Sequence, residues 1–95
     1  MLTGKQKRYL RAQAHQLKPI FQIGKDGVSH KQASSINDAL KAKELIKVRL
    51  LQTCPQTANE AALEIAAQTK ADVIQIVGRV ITLYKRSDKV LYKLP

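Results

Sequence analysis

Apolar residues recur along this chain in two alternating periods, and each change of period marks a new element. Leu10, Ala14 and Leu17 fall at i, i+4 and i+7, which predicts a helix capped by Thr3 and running to about Gln16. Arg8, Arg11, His15 and Lys18 recur at helical spacing on another face, so the same helix carries a basic ridge. Pro19 stops it, and Ile20-Phe21-Gln22-Ile23 reads as a short buried strand. After Gly24-Lys25-Asp26-Gly27, Ser29 and Gln32 stand at capping-box spacing before a second helix, in which Ala33, Ile36, Ala39 and Leu40 keep a 3.6-residue period to about Lys43.

The period then shortens to two. Between Glu44 and Leu51, Ile46, Val48 and Leu50 share one face while Lys47 and Arg49 share the other, the pattern of a half-exposed strand with a basic outer side. Thr57 and Glu60 form another capping-box pair ahead of an alanine-rich, acidic third helix with Ala61, Ala62, Ile65 and Ala66. Val73–Val77 and Val80–Lys85 are β-branched runs separated by Gly78-Arg79, and Gly at the first central position suits a type II′ hairpin turn. The predicted order is α-β-α-β-α-β-β, an α/β single domain with three helices on a four-stranded mixed sheet. Residues 1–86 are expected to form this domain, followed by a basic tail, 87–95, with a short extended piece at Val90–Tyr92.

Composition narrows what such a domain can do. At 95 residues and 44% apolar, the chain can bury roughly 60–70% of its unfolded surface and needs neither disulfide nor metal to fold. Its one cysteine, Cys54, allows no internal bridge, which fits a reducing cytoplasm. No apolar run approaches the roughly 20 residues that cross a bilayer, so no membrane partner is expected. The net charge of +10 is segregated: residues 1–49 carry 11 basic and 3 acidic side chains, residues 50–78 carry 1 and 3, and residues 79–95 carry 5 and 1. Such a split points to a polyanionic partner, above all nucleic acid.

No catalytic set is evident: the chain has no carboxylate pair, no nucleophile with a base and no metal-ligand cluster, so neither cofactor nor metal is expected. His15 and His30 stand alone, and Cys54 sits in a loop before Pro55 without a motif. Gly24-Lys25-Asp26-Gly27 is the sharper feature. Between a strand and a capped helix, glycines without Cβ let a backbone ligand approach, and the helix N-terminus offers free N–H groups to phosphate oxygens. A Gly-x-x-Gly clamp of this kind holds the nucleic-acid backbone in KH modules. Asp26 opposes phosphate and is expected to point away or to cap Ser29 or a nearby amide. Exposed aromatic clusters are absent, so binding should rest on phosphate and sugar contacts; Phe21 is assigned to the core, while Tyr84 is open between packing and RNA contact.

Taken together, Leu2-Thr3-Gly4-Lys5-Gln6-Lys7-Arg8-Tyr9-Leu10-Arg11, Ala14-His15-Gln16-Leu17-Lys18-Pro19, Ile23-Gly24-Lys25-Asp26-Gly27, Glu44-Leu45-Ile46-Lys47-Val48, and Val77-Gly78-Arg79 through Leu83-Tyr84 closely resemble the CRM domain family (chloroplast RNA splicing and ribosome maturation), in particular its stand-alone bacterial YhbY-like members. The resemblance implies a fold similar to the C-terminal domain of bacterial translation initiation factor three. It also implies RNA binding through Gly24, Lys25, Asp26 and Gly27, and association with ribosomal RNA of the precursor large subunit during ribosome assembly. The residues themselves add Lys5, Lys7, Arg8, Arg11, His15, Lys18, Lys31, Arg79, Lys85 and Arg86 as candidate contacts. The expectation is a cytoplasmic, monomeric, non-enzymatic RNA-binding protein. The alternative is a basic adaptor that docks an acidic protein partner; a hydrolase built on His15 or Cys54 is the least favoured reading.

Overall fold

Three capped helices alternate with four strands in the order read from the periodicity: α1 (Gly4–Ala14), β1 (Phe21–Ile23), α2 (His30–Lys43), β2 (Leu45–Leu50), α3 (Ala58–Thr69), β3 (Asp72–Val77) and β4 (Val80–Tyr84). The structure is a computed structural model and describes residues 2–95. Capping fixes where the helices begin. At α1, Thr3 Oγ1 accepts from the Gln6 N–H at 3.1 Å while Gln6 Oε1 accepts from the Thr3 N–H at 2.9 Å. Thr57 and Glu60 close the same reciprocal pair at α3, at 3.1 and 2.8 Å. At α2 only the serine half forms, with the Gln32 N–H donating to Ser29 Oγ at 3.1 Å. Helix α1 stops at Ala14 rather than Gln16, because its last turn tightens: the His15 and Leu17 N–H groups bond to carbonyls three residues back, Ala12 and Ala14.

The sheet order is β1-β2-β4-β3. Strands β1 and β2 pair in parallel through the α2 crossover, and β4 lies between β2 and β3, antiparallel to both. Gly78 takes a φ of +59° while Arg79 keeps a negative one, as a type II′ turn requires. Alternation along the strands sends Ile46, Val48, Leu50, Ile81 and Leu83 to one face, where they are buried with Ile36, Leu40, Ala61 and Ile65 of α2 and α3. The other face is covered by α1 over only part of its length, where Leu10 and Ala14 pack on Leu45, Ile74 and Tyr84. Tyr84, 2% exposed, is therefore a packing residue. A bulge in β3 sets Val73 opposite Leu83 and Gln75 opposite Thr82, so that Ile74 and Gln75 share the α1 face.

Residues 87–95 fold back onto that second core. No strand forms at Val90–Tyr92, and Val90 turns the chain with a φ of 47°. Tyr92 and Leu94 pack beside Leu10 and Tyr84, and Gln6 Nε2 donates to the Pro95 carbonyl at 3.1 Å. The anchor is Glu44, which is 0% exposed. Its carboxylate accepts four hydrogen bonds, from the Ser87 N–H at 3.2 Å, the Ser87 hydroxyl, the Leu91 N–H at 2.8 Å and the Tyr92 N–H at 3.2 Å. Glu44 ends α2 with a φ of 65°, a backbone state that favours glycine. Holding a glutamate there costs on the order of 1–3 kcal/mol, which the charge-assisted bonds offset, since each contributes roughly 1.5–3 kcal/mol before the tail's entropy is counted.

Burial alone would raise the Glu44 carboxyl, but the Ser87 hydroxyl and the Leu91, Tyr92 and Ser87 amides hold it below its ordinary value of 4.5. A depressed carboxyl stabilises the fold fully above the ordinary glutamate range, and the contribution is lost as pH falls through the depressed native value. Glu44→Ala should therefore lower stability by about 2 kcal/mol at neutral pH and flatten the loss of stability as pH falls from neutral through and below the ordinary glutamate range. Urea melts of both proteins across that range test this; parallel curves would show that the carboxylate does not hold the tail.

Candidate nucleic-acid interface

The Gly24–Gly27 turn lies where β1 hands over to α2. The Gly27 N–H bonds to the Gly24 carbonyl at 3.0 Å, which places Lys25 and Asp26 at the exposed tip. Neither tip residue has a positive φ, whereas Gly27 has one of 66°, the pattern of a type I turn completed by a left-handed glycine. Gly27 is buried beneath the β2–α3 loop: a Cβ there would lie 3.0 Å from Gln56 Oε1 and 3.5 Å from Pro55 Cγ. Gln56 Oε1 also accepts from the Val28 N–H at 3.0 Å. Asp26 remains exposed at the tip, and Gln56 takes the amide-capping role expected of it. Residue 56 is distant in sequence from the turn, and only its spatial position reveals it.

The two glycines thus have different reasons. Gly27 is required by backbone conformation and by internal contact. A Cβ on Gly24 would meet Leu51 Cδ1 at 3.5 Å and Thr53 Oγ1 at 3.6 Å, ordinary van der Waals distances, so the fold itself does not demand glycine there. A polar cleft of about 500 Å³ follows the turn into the first two turns of α2, bordered by Lys25, Ser29, Lys31, Gln32 and Ser35, and by Asp26, which therefore does not turn away from it. With Ser29 occupied by Gln32, the N–H groups of His30 and Lys31 are free of intrahelical partners. No acidic residue stands in that first turn. Lys25, Lys31 and these amides suit phosphate oxygens.

Because β1 and β2 run parallel, the turn, the Leu51–Gln56 loop and the hairpin tip share one end of the sheet. The Arg79 carbonyl accepts from the Leu50 N–H at 2.8 Å, and Arg79 borders a cleft with Leu51, Cys54 and Gln56. Lys25, Lys31 and exposed Arg79 are brought to this end together. Lys5, Arg8, Arg11, His15 and Lys18 are exposed and Lys7 half-buried on and just after α1, across the sheet from α2. Lys85 and Arg86 lie beyond the opposite end of β4, roughly 20 Å from Arg79 by strand rise. There Lys85 Nζ donates to Asn37 Oδ1 at 3.0 Å, and Lys85 and Arg86 border a cleft of about 300 Å³ with Lys41, Asp88 and Lys89. The candidate cations therefore form a loop-end group, an α1 ridge and a separate group at the far pole. Burial pushes the Tyr84 phenol up, as do the charges of Glu44 and Asp72, against an opposing effect of Arg86.

Among the described residues no group of three or more His, Cys, Asp or Glu side chains is placed to hold a metal ion, and no helix is long and apolar enough to cross a membrane. A family model for the CRS1 / YhbY (CRM) domain matches residues 2–85. A Bacillus subtilis protein named "Probable RNA-binding protein YqeI" is 48% identical over 87 residues, covering 92% of this chain and 91% of that one. A Haemophilus influenzae protein named "RNA-binding protein" is 33% identical, covering 99% of this chain and 95% of its own. The solution structure of a hypothetical Staphylococcus aureus protein superposes with a TM-score of 0.81 at 42% identity, over 100% of both chains.

The glycine geometry separates turn from ligand. Gly27→Ala should lose about 1–2 kcal/mol of stability through the left-handed backbone and the Gln56 contact, whereas Gly24→Ala should stay within about 0.5 kcal/mol of the parent. Thermal melts of the two variants decide this, and equal losses would contradict the assignment.

Proposed function

Since the chain belongs to the CRS1/YhbY (CRM) domain family, we propose that it binds RNA, and specifically that it engages ribosomal RNA of the precursor large subunit during ribosome assembly in the cytoplasm, as a monomer and without catalysis. The observation that carries this reading is the exposed Lys25–Asp26 tip set against the uncapped amides of α2, with Lys31 on the same cleft. A phosphodiester is the ligand that matches: it takes N–H donors and ammonium groups together and needs no deep apolar pocket. Relatives named as RNA-binding proteins support the same reading.

In this reading Gly24, Lys25, Asp26, Gly27, Lys31 and Arg79 grip one stretch of backbone at the loop end. Lys5, Lys7, Arg8, Arg11, His15 and Lys18 extend the contact along α1, and Lys85 and Arg86 meet a separate segment at the far pole. Three dispersed cationic groups suit a folded RNA, which presents several backbones at once, better than a single extended strand.

Phosphate contact is read in the salt response. With about six phosphates neutralised, log affinity for a ribosomal RNA fragment should fall with log salt at a slope of about −4 to −5. Replacing Lys25 and Lys31 by Ala should weaken binding across sequences and shallow that slope by about 2. A flat response would remove the phosphate clamp. Complexes recovered from cells that survive nuclease would favour the acidic protein partner instead.

A further inference from the structure

Helix α1 leaves the loop-proximal half of its sheet face uncovered, and strand register assembles there a surface that neither the turn nor the α1 ridge accounts for. Gln22 pairs with Arg49 and Arg49 with Val80, in the row two residues before Gly24. Lys47 pairs with Thr82, and the β3 bulge brings Gln75 opposite Thr82 in the next row. Gln22 and Arg49 are exposed, Lys47 and Gln75 half-buried, and Thr82 forms the floor. Arg11 and His15, from the end of α1, close a cleft of about 290 Å³ over this floor together with Lys47 and Gln75. No acidic side chain borders it among the described residues.

We propose that this half-face is a second RNA contact surface, that it takes a base-paired segment, and that Lys47 and Arg49 are its central contacts, joining the α1 ridge to the loop end. The inference rests on the RNA reading given above and extends it. Cations spaced two residues apart on a strand stand about 7 Å from each other, with the amides of Gln22 and Gln75 beside them, a mixture that meets phosphate and 2′-hydroxyl groups. Unpaired bases are held chiefly by stacking on aromatic rings. The tyrosines on this side, buried Tyr84 and half-buried Tyr9 and Tyr92, pack into the cluster around Leu10 and Ala14, none of them borders the cleft, and Phe21 packs on the opposite face. A duplex, whose bases are already stacked and whose minor groove displays hydroxyls and phosphates, is the form of RNA that such a surface can recognise.

The test compares a hairpin RNA stem with an unpaired oligonucleotide of equal length, by fluorescence anisotropy over a salt series. Lys47→Ala with Arg49→Ala should weaken stem binding about tenfold and shallow its salt slope by about 2, while affinity for the unpaired oligonucleotide changes less than about twofold. Arg11→Ala, on a separate element, should shallow the stem slope by about 1, so the outcome does not hang on one variant's folding. If stem binding survives both changes while Lys25→Ala with Lys31→Ala still weakens it, the half-face is not a contact and the RNA reading stands. If stem and unpaired strand weaken equally, the preference for a duplex is wrong. Wild-type protein that binds neither RNA would overturn both readings, and poly-glutamate competing as well as the stem would assign the face to an acidic protein.

Discussion

Parallel pairing of β1 with β2 is the constraint on which the arrangement depends. Two parallel neighbours require a crossover of helical length, and α2 supplies it, so the chain must turn from β1 into the N-terminus of α2 at the carboxyl end of the pair. That is why a four-residue turn with Lys25 at its tip meets free helix amides. β2 ends at the same pole, and its loop delivers Pro55 and Gln56 beneath Gly27. The insertion of β4 between β2 and β3 then brings the Gly78-Arg79 hairpin to that pole as well. One pairing decision thus places three loops from distant parts of the chain within reach of a single ligand.

The sheet's two faces are unequal, and the inequality matters for function. α2 and α3 together bury the first face, which holds the larger set of apolar side chains. α1 is the one helix on the second face and covers it only around Leu45, Ile74 and Tyr84, where residues 87–95 complete the cover. Glu44 ties the far pole: it ends α2 in a backbone state better suited to glycine, and its carboxylate receives the tail. The apolar strap and the buried charge occupy one half of the face, which leaves the other half for Lys47 and Arg49. The acidic stretch, centred on α3, lies on the covered side of the sheet, away from that open half.

Charge therefore follows architecture. Lys25, Lys31 and Arg79 stand at the loop end and Arg11, His15, Lys47 and Arg49 around the open half-face, while Lys41, Lys85, Arg86 and Lys89 are set apart at the other pole. A net charge of +10 alone predicts attraction to polyanions. The placement of those charges on rigid elements is what allows a geometry to be recognised rather than mere negative charge.

The sequence by itself determined the elements and their order, since period, caps and turn residues act over a few neighbours: Thr3 with Gln6, Thr57 with Glu60, and Gly78 in its hairpin are all local chemistry. It also made the Gly24–Gly27 turn legible, because strand, turn and cap are contiguous. Tertiary structure alone decided that Gln56 caps the turn, that Gly27 and not Gly24 is sterically obliged, that a bulge brings Gln75 beside Ile74, and that Glu44 receives residues 87–92. Each of these joins groups far apart in the chain or shifts a register by one residue. Burial and pairing across strands select such contacts, and no local pattern encodes them.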